Sequence, residues 1–121
     1  MEDEHAVTRV EIDEAGRAVR IFRTVREAVL FEHDHPLRVK TMHRRDAVEE
    51  IRRHVFERSN GNCEWCGMIV SWKSMHLHEV VSRGDEGEIS LFNSVAICAK
   101  CHIGPRGAHA NRQWGGGPKN L

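Results

Sequence analysis

Apolar and polar residues alternate between residues 6 and 22, with Val10 and Ile12 before Asp13-Glu14-Ala15-Gly16 and Val19 and Ile21 after it. A period of two on both sides of a turn-forming segment predicts a β-hairpin. The period then changes. Thr24 followed by Glu27 has capping-box spacing, and Val25, Ala28 and Val29 form a short helical face that must stop before Pro36. Asp46 with Glu49 repeats that start signal, and Val48, Ile51 and Val55 make one stripe of a second helix ending near Ser59-Asn60-Gly61. Both helices read as packing elements.

Beyond Cys63-Glu64-Trp65-Cys66, the runs Met68 to Trp72 and Met75 to Val81 flank Lys73-Ser74 and predict another hairpin. Ser82 to Asn93 is polar, contains Gly84 and Gly87, and predicts a loop. Ser94 to Cys98 is apolar enough for a short buried strand, with a helix starting near Ala99. Trp114-Gly115-Gly116-Gly117-Pro118 marks a flexible tail, and no internal repeat is present. The expected organisation is an accessory hairpin and short helix over residues 1–45, a main domain over 46–112, and a tail over 113–121.

A length of 121 residues with 40% apolar content suits one domain with a modest core. The 18 basic and 18 acidic residues cancel, so net charge argues for no particular partner and any DNA affinity must come from local patches. One asymmetry exists. From Ile89 to Leu121 there is no acidic residue, while Lys100, Arg106, Arg112 and Lys119 are basic. The start Met-Glu-Asp-Glu-His has no basic region, and the longest apolar run, Val95 to Ala99, is five residues. The expectation is a cytoplasmic protein with no membrane association, in which four cysteines are reduced.

Those cysteines fall in two pairs, Cys63-x-x-Cys66 and Cys98-x-x-Cys101. Each pair sets two thiolates on a tight turn, and two such turns complete a tetrahedral sulfur shell for a structural Zn2+. Disulfides and a redox pair rank below zinc, given two pairs and the expected reducing location. The 31 residues between the pairs exceed the spacing of a compact finger, so the metal is expected to clamp the ends of an inserted motif.

The insert carries His76, His78 and Glu79 on a predicted strand and Asn93 just before the next, while His102 directly follows the last cysteine. Phosphodiester cleavage requires a group that deprotonates water and a cation that stabilises charge on phosphate and leaving oxygen. Imidazoles and carboxylates supply both, and an asparagine amide pins a loop without titrating. Through C-x-x-C, H-E-V-V-S-R-G, N-S-V-A-I-C and C-x-x-C-H, residues 46–112 resemble the HNH endonuclease family, especially its small phage-type members. Asn93 also stands nine positions before His102, as in that family.

The resemblance implies an α+β fold: a ββα-metal (HNH, or His-Me finger) core clamped by the four-cysteine zinc site, with the hairpin and helix as an N-terminal extension. It implies a metal-dependent DNA endonuclease that nicks or cuts both strands. Asn93 would hold the loop and His102 would bind a catalytic divalent cation, Mg2+ or Mn2+, with Zn2+ or Ni2+ as alternatives. Aligning Ser82-Arg83-Gly84 puts His78 at the ligand position and Glu79 at the base position, where histidine is commonest. A glutamate is the weaker base, so catalysis would need its pKa raised or help from metal-bound water. A second register makes His78 the base and leaves Glu79 structural, with His76 on the same strand face. His109 is a candidate further ligand, although Gly104-Pro105 argues against a helix running through to it.

Arg83, Arg106 and Arg112 are the candidate phosphate contacts, Arg83 foremost because it lies in the motif loop. His33-Asp34-His35 beside Pro36 reads as a polar loop, His5, His43 and His54 as ordinary surface or core histidines, and Trp65, Trp72 and Trp114 as packing residues. Two other functions compete with the nuclease. One is a zinc-dependent nucleic-acid-binding module that does not cut, motivated by Glu79 and by Glu86-Gly87 where the family commonly has Gly-Gly; the other is a structural zinc protein of phage packaging or assembly, while a partner-activated packaging nuclease is a variant of the enzyme reading. Packaging or other targeting proteins are the partners the resemblance implies besides DNA.

Overall fold

The computed structural model describes residues 6–103. In chain order the elements are β1 (Val7–Ile12), β2 (Ala18–Ile21), α1 (Val25–Asp34), β3 (Val39–His43), α2 (Arg44–Ser59), β4 (His76–Glu79), β5 (Ile89–Ser90), β6 (Ser94–Ile97) and α3 (Ala99–Ile103). The chain divides into two compact units, and the fold is a small α+β arrangement of antiparallel strands and helices. Within the described residues one unit takes 6–54 with 88–92, and the other takes 55–87 with 93–103.

The first unit contains the predicted hairpin. Asp13 accepts at Oδ1 from the N–H groups of Ala15 (3.0 Å) and Arg17 (2.9 Å), which closes the turn, and Gly16 takes a positive φ of 82° that suits glycine. β1 and β2 pair antiparallel with Val10 opposite Ile21. Thr24 caps α1 by accepting from the Glu27 N–H at 3.1 Å, and α1 ends at Asp34, before a 3-10 turn at Pro36–Arg38. The sheet order is β3-β1-β2-β5. Val10, Ala18, Ile21, Ala47 and Ile51 form its buried cluster, with Ile12, Met42, Val48 and Ile89 packed against it. A buried isoleucine contributes about 1.5–3 kcal/mol by leaving water, so such a cluster can hold a small sheet to a helix.

α2 begins at Arg44, two residues ahead of the predicted start signal, and leaves Asp46 in its first turn. Ile51 and Val55 are fully buried, as the stripe predicts, and Ala47 joins them. Asn60 and Gly61 follow the helix with φ of 56° and 73°.

Three expectations are corrected. Met68 to Trp72 is not a strand paired with Met75 to Val81; β4 pairs with β6 instead, with His76 opposite Ile97 and Glu79 opposite Ser94. The backbone before Ser71 is already committed to the first cysteine turn: Cys63 N–H donates to the Met68 carbonyl (2.7 Å) and Val70 N–H to the Gly61 carbonyl (2.8 Å). Ser71 and Ser74 then close a turn through their hydroxyls. The loop expected from Ser82 to Asn93 contains β5, which pairs with β2 through Arg20–Ser90 and Ile21–Ile89. β3, to which the sequence reading assigned no element, pairs with β1 along Val39–His43. Its side chains are half-buried or exposed, so it lacks the alternation that marks a strand with one buried face.

Candidate metal centre and histidine cluster

The second unit is built on its cysteines. The Sγ atoms of Cys63, Cys66, Cys98 and Cys101 all lie within 4.8 Å of one another. Four sulfurs at about 2.3 Å from a tetrahedral zinc are about 3.8 Å apart, and Cys66 Sγ to Cys98 Sγ is 4.0 Å. All four cysteines are free, and the donor set fits a structural metal such as zinc.

Each cysteine turn prepares its sulfurs. Trp65 and Cys66 both donate their N–H to Cys63 Sγ at 3.4 Å, and Gly67, with φ of 84°, returns its N–H to the Cys63 carbonyl at 2.8 Å. Burial pushes the Cys63 thiol up, but the N–H groups of Cys66, Cys98 and Trp65 converge on the sulfur and bring it down to about 7. Burial holds Cys101 far above its ordinary value, and the neighbouring cysteines push it further. Burial likewise raises Cys66, with the Cys63 charge adding to it. One thiolate is therefore easy to form here and four are not without a cation to offset their repulsion.

Glu64 ties the first turn to β6. Its N–H donates to the Ala96 carbonyl (2.7 Å), its Oε1 accepts from the Ala96 N–H (2.8 Å), and Arg58 pairs with its carboxylate while donating to the Ser94 carbonyl. β6 thus has β4 on one side and the cysteine turn on the other. This role was missed from sequence, because Glu64 and Arg58 resemble any surface pair until their acceptors on β6 are known.

β4, β6 and α3 bring the histidines together. His76 and His78 are two residues apart on β4 and share a face, on which both rings meet His102 of α3: centroids are 5.2 Å apart for His76 and 5.3 Å for His78. His78 is buried, and His76 Nδ1 lies 3.0 Å from His102 Nδ1. Strand alternation puts Leu77 and Glu79 on the other face of β4.

Asn93 closes the segment joining β4 to β6. Its Oδ1 accepts from the Val81 N–H (2.8 Å), its Nδ2 donates to the Val81 carbonyl (2.9 Å), and its own carbonyl accepts from the Val80 N–H (2.9 Å). Gly87 packs on the same peptide. A Cβ there would stand 1.8 Å from the Val81 carbonyl oxygen, so only glycine fits, and its N–H donates to the Ser82 carbonyl at 2.8 Å. The sequence marks Gly87 only as a loop residue.

The structure therefore gathers the four cysteines in one cluster and His76, His78 and His102 in another, and gives Asn93 the loop-pinning bonds. Arg83 opens a 3-10 turn at Arg83–Asp85. Arg106, His109, Arg112 and Trp114 lie outside the described residues. Trp65 is buried, and Trp72 meets Phe56 edge-on at 5.6 Å. Among the described residues no helix is long and apolar enough to cross a membrane. Comparison of the chain with protein-family models, with curated proteins and with solved structures finds no match.

Proposed function

We propose that this protein is a metal-dependent DNA endonuclease of the HNH type, built on a ββα-metal core formed by β4, β6 and α3. The observation that carries the reading is the convergence of His76 and His78 with His102, on a two-stranded ribbon whose connecting segment is held by Asn93. A bound divalent cation supplies charge stabilisation for the phosphate and the leaving oxygen.

The protein's own groups do the rest. His102 is a ligand for that cation, and its position after Cys101 lets the cysteine cluster fix the start of α3. His78, buried beside His102, has an imidazole suited to taking a proton from the attacking water. Asn93 holds Val80 and Val81, and so the end of β4 that carries His78, through groups that do not titrate. Glu79, on the opposite face of β4, acts structurally in this reading. Arg83 is the first candidate for a phosphate contact, and four cysteines poised for metal suit a reducing cytoplasm.

Supercoiled plasmid incubated with zinc-loaded protein in magnesium, manganese or EDTA tests the reading. Nicking that needs the added ion and disappears in His78→Ala and His102→Ala, both shown to retain zinc and fold, is the expected result. A folded wild-type protein that binds plasmid in a salt-dependent manner but cuts with no ion would replace the nuclease by a nucleic-acid-binding module.

A further inference from the structure

The geometry points to His76, together with His102, as the ligand pair of a second metal site distinct from the four cysteines, in which both imidazoles coordinate through Nδ1 and His78 is left free of the metal. This inference rests on the proposed function only for what the site is used for; the site itself stands on the geometry of the second unit.

The separation of the two nitrogens carries it. Ligands at about 2.0–2.1 Å from one ion, subtending about 90–109°, are about 2.9–3.4 Å apart. His76 Nδ1 and His102 Nδ1 are 3.0 Å apart, with their rings at 87° to each other. Without an ion, the same distance suits one N–H···N hydrogen bond, in which one ring carries its proton on Nδ1 and the other presents a lone pair. Binding an ion then requires only that the first ring move this proton to Nε2, so both Nδ1 lone pairs become available with no net proton released.

The placement supports the pair. His76 sits opposite Ile97 in the β4–β6 ribbon, one residue before Cys98, and His102 directly follows Cys101. The two ligands are therefore fixed relative to each other by the ribbon and by the cysteine cluster, which makes the site pre-formed in the zinc-loaded protein. Both rings are half-buried, leaving the remaining coordination positions to water or a phosphate oxygen. A pair of imidazoles favours zinc, nickel or another late first-row ion over magnesium, which prefers oxygen ligands and keeps its waters. His78 shares the strand face and meets His102 edge-on at a centroid distance of 5.3 Å, near enough to serve a reacting water without being a ligand.

The test uses the full chain with the cysteine cluster already filled with zinc. A further equivalent of Zn2+ is titrated in by calorimetry while the imidazole 15N resonances are followed. One additional ion should bind, the Nδ1 resonances of His76 and His102 should both move, and those of His78 should not move as a ligand's do. His76→Ala and His102→Ala should each weaken this binding by more than about tenfold. His76→Gln should do the same without opening a cavity, and His78→Ala should keep the affinity within about threefold. Wild-type affinity in His76→Ala and His76→Gln, an unmoved His76 Nδ1, or loss of the ion in His78→Ala would each overturn the assignment. A second ion bound through His76 in a protein that nicks no plasmid would leave this site standing and remove the nuclease; nicking that survives His76→Gln with unchanged metal affinity would do the reverse.

Discussion

The two units of this protein solve the same problem differently. Residues 6–54 with 88–92 hold a four-stranded antiparallel sheet whose apolar face is covered by α2 through Ala47 and Ile51. Residues 55–87 with 93–103 have a two-stranded ribbon, a five-residue helix and long irregular stretches, and their converging point is four sulfurs. Both units bury apolar side chains, Val10, Ile21 and Ile51 in the first and Val55, Val70 and Ile97 in the second, and among the described residues the second alone adds a four-sulfur cluster that could hold a structural metal. The lesson is that the unit with least regular structure is the one in which the chemistry-bearing side chains converge, because irregular backbone is free to aim them.

Removing the metal should break the comparison most visibly. Chelation, or Cys63→Ser, should abolish amide protection across residues 55–87 and 93–103 while β1, β2 and β3 keep theirs, since a structural zinc contributes on the order of 10 kcal/mol. Hydrogen exchange reads the outcome, and equal loss in both units would erase the distinction. Ile51→Ala probes the opposite side. Truncating this fully buried side chain should cost about 2–5 kcal/mol in urea unfolding and leave zinc affinity unchanged.

Smaller effects sharpen the contrast. Asn93→Ala removes both side-chain bonds to Val81 and should cost about 1–3 kcal/mol, and Gly87→Ala, which crowds the same carbonyl, should fall in the same range. Thermal unfolding of zinc-loaded protein measures both; a neutral Gly87→Ala would mean that the 81–87 backbone yields easily. The smallest effect belongs to the hairpin. Burial alone would raise the Asp13 carboxyl, but the Arg17 and Ala15 N–H donors and the nearby His54 and Arg17 charges outweigh it and hold the group below its ordinary range. A lowered folded value contributes stability that is present above the ordinary carboxylate range and is lost as pH falls through the folded value. Asp13→Asn should therefore flatten a shallow acid limb of the stability profile below that range and lower stability slightly near neutrality, where the ionised carboxylate makes its contribution.

Much of this was legible in the chain. The hairpin, both long helices and their stops follow from periodicity and caps, because Asp13, Thr24 and the Asn60-Gly61 pair act on backbone within four residues of themselves. The cysteine cluster was legible because two short spacings admit few other uses. What failed was long-range pairing. Met68 to Trp72 has an apolar pattern, yet its leading backbone serves the cysteine turn, and β4 finds its partner beyond a segment that visits the other sheet. β5 is two residues long and exists only because β2 offers it an edge. His76, on the same predicted strand face as His78, stood level in the sequence between a functional group and an ordinary surface histidine until α3 placed His102 beside it. Gly87 and Glu64 were hidden for the same reason: their partners are fixed by tertiary structure.

The chain order of the two units bears on how the protein is made. It crosses between them at 54/55, 87/88 and 92/93, so neither unit is one uninterrupted stretch of message. During synthesis the first sheet lacks its fourth strand until residues 89 and 90 have left the ribosome, by which time the first cysteine pair has already been exposed and the second has still to emerge. Vectorial folding therefore cannot finish either half before the other has begun, and no single cut of the gene releases both as whole pieces.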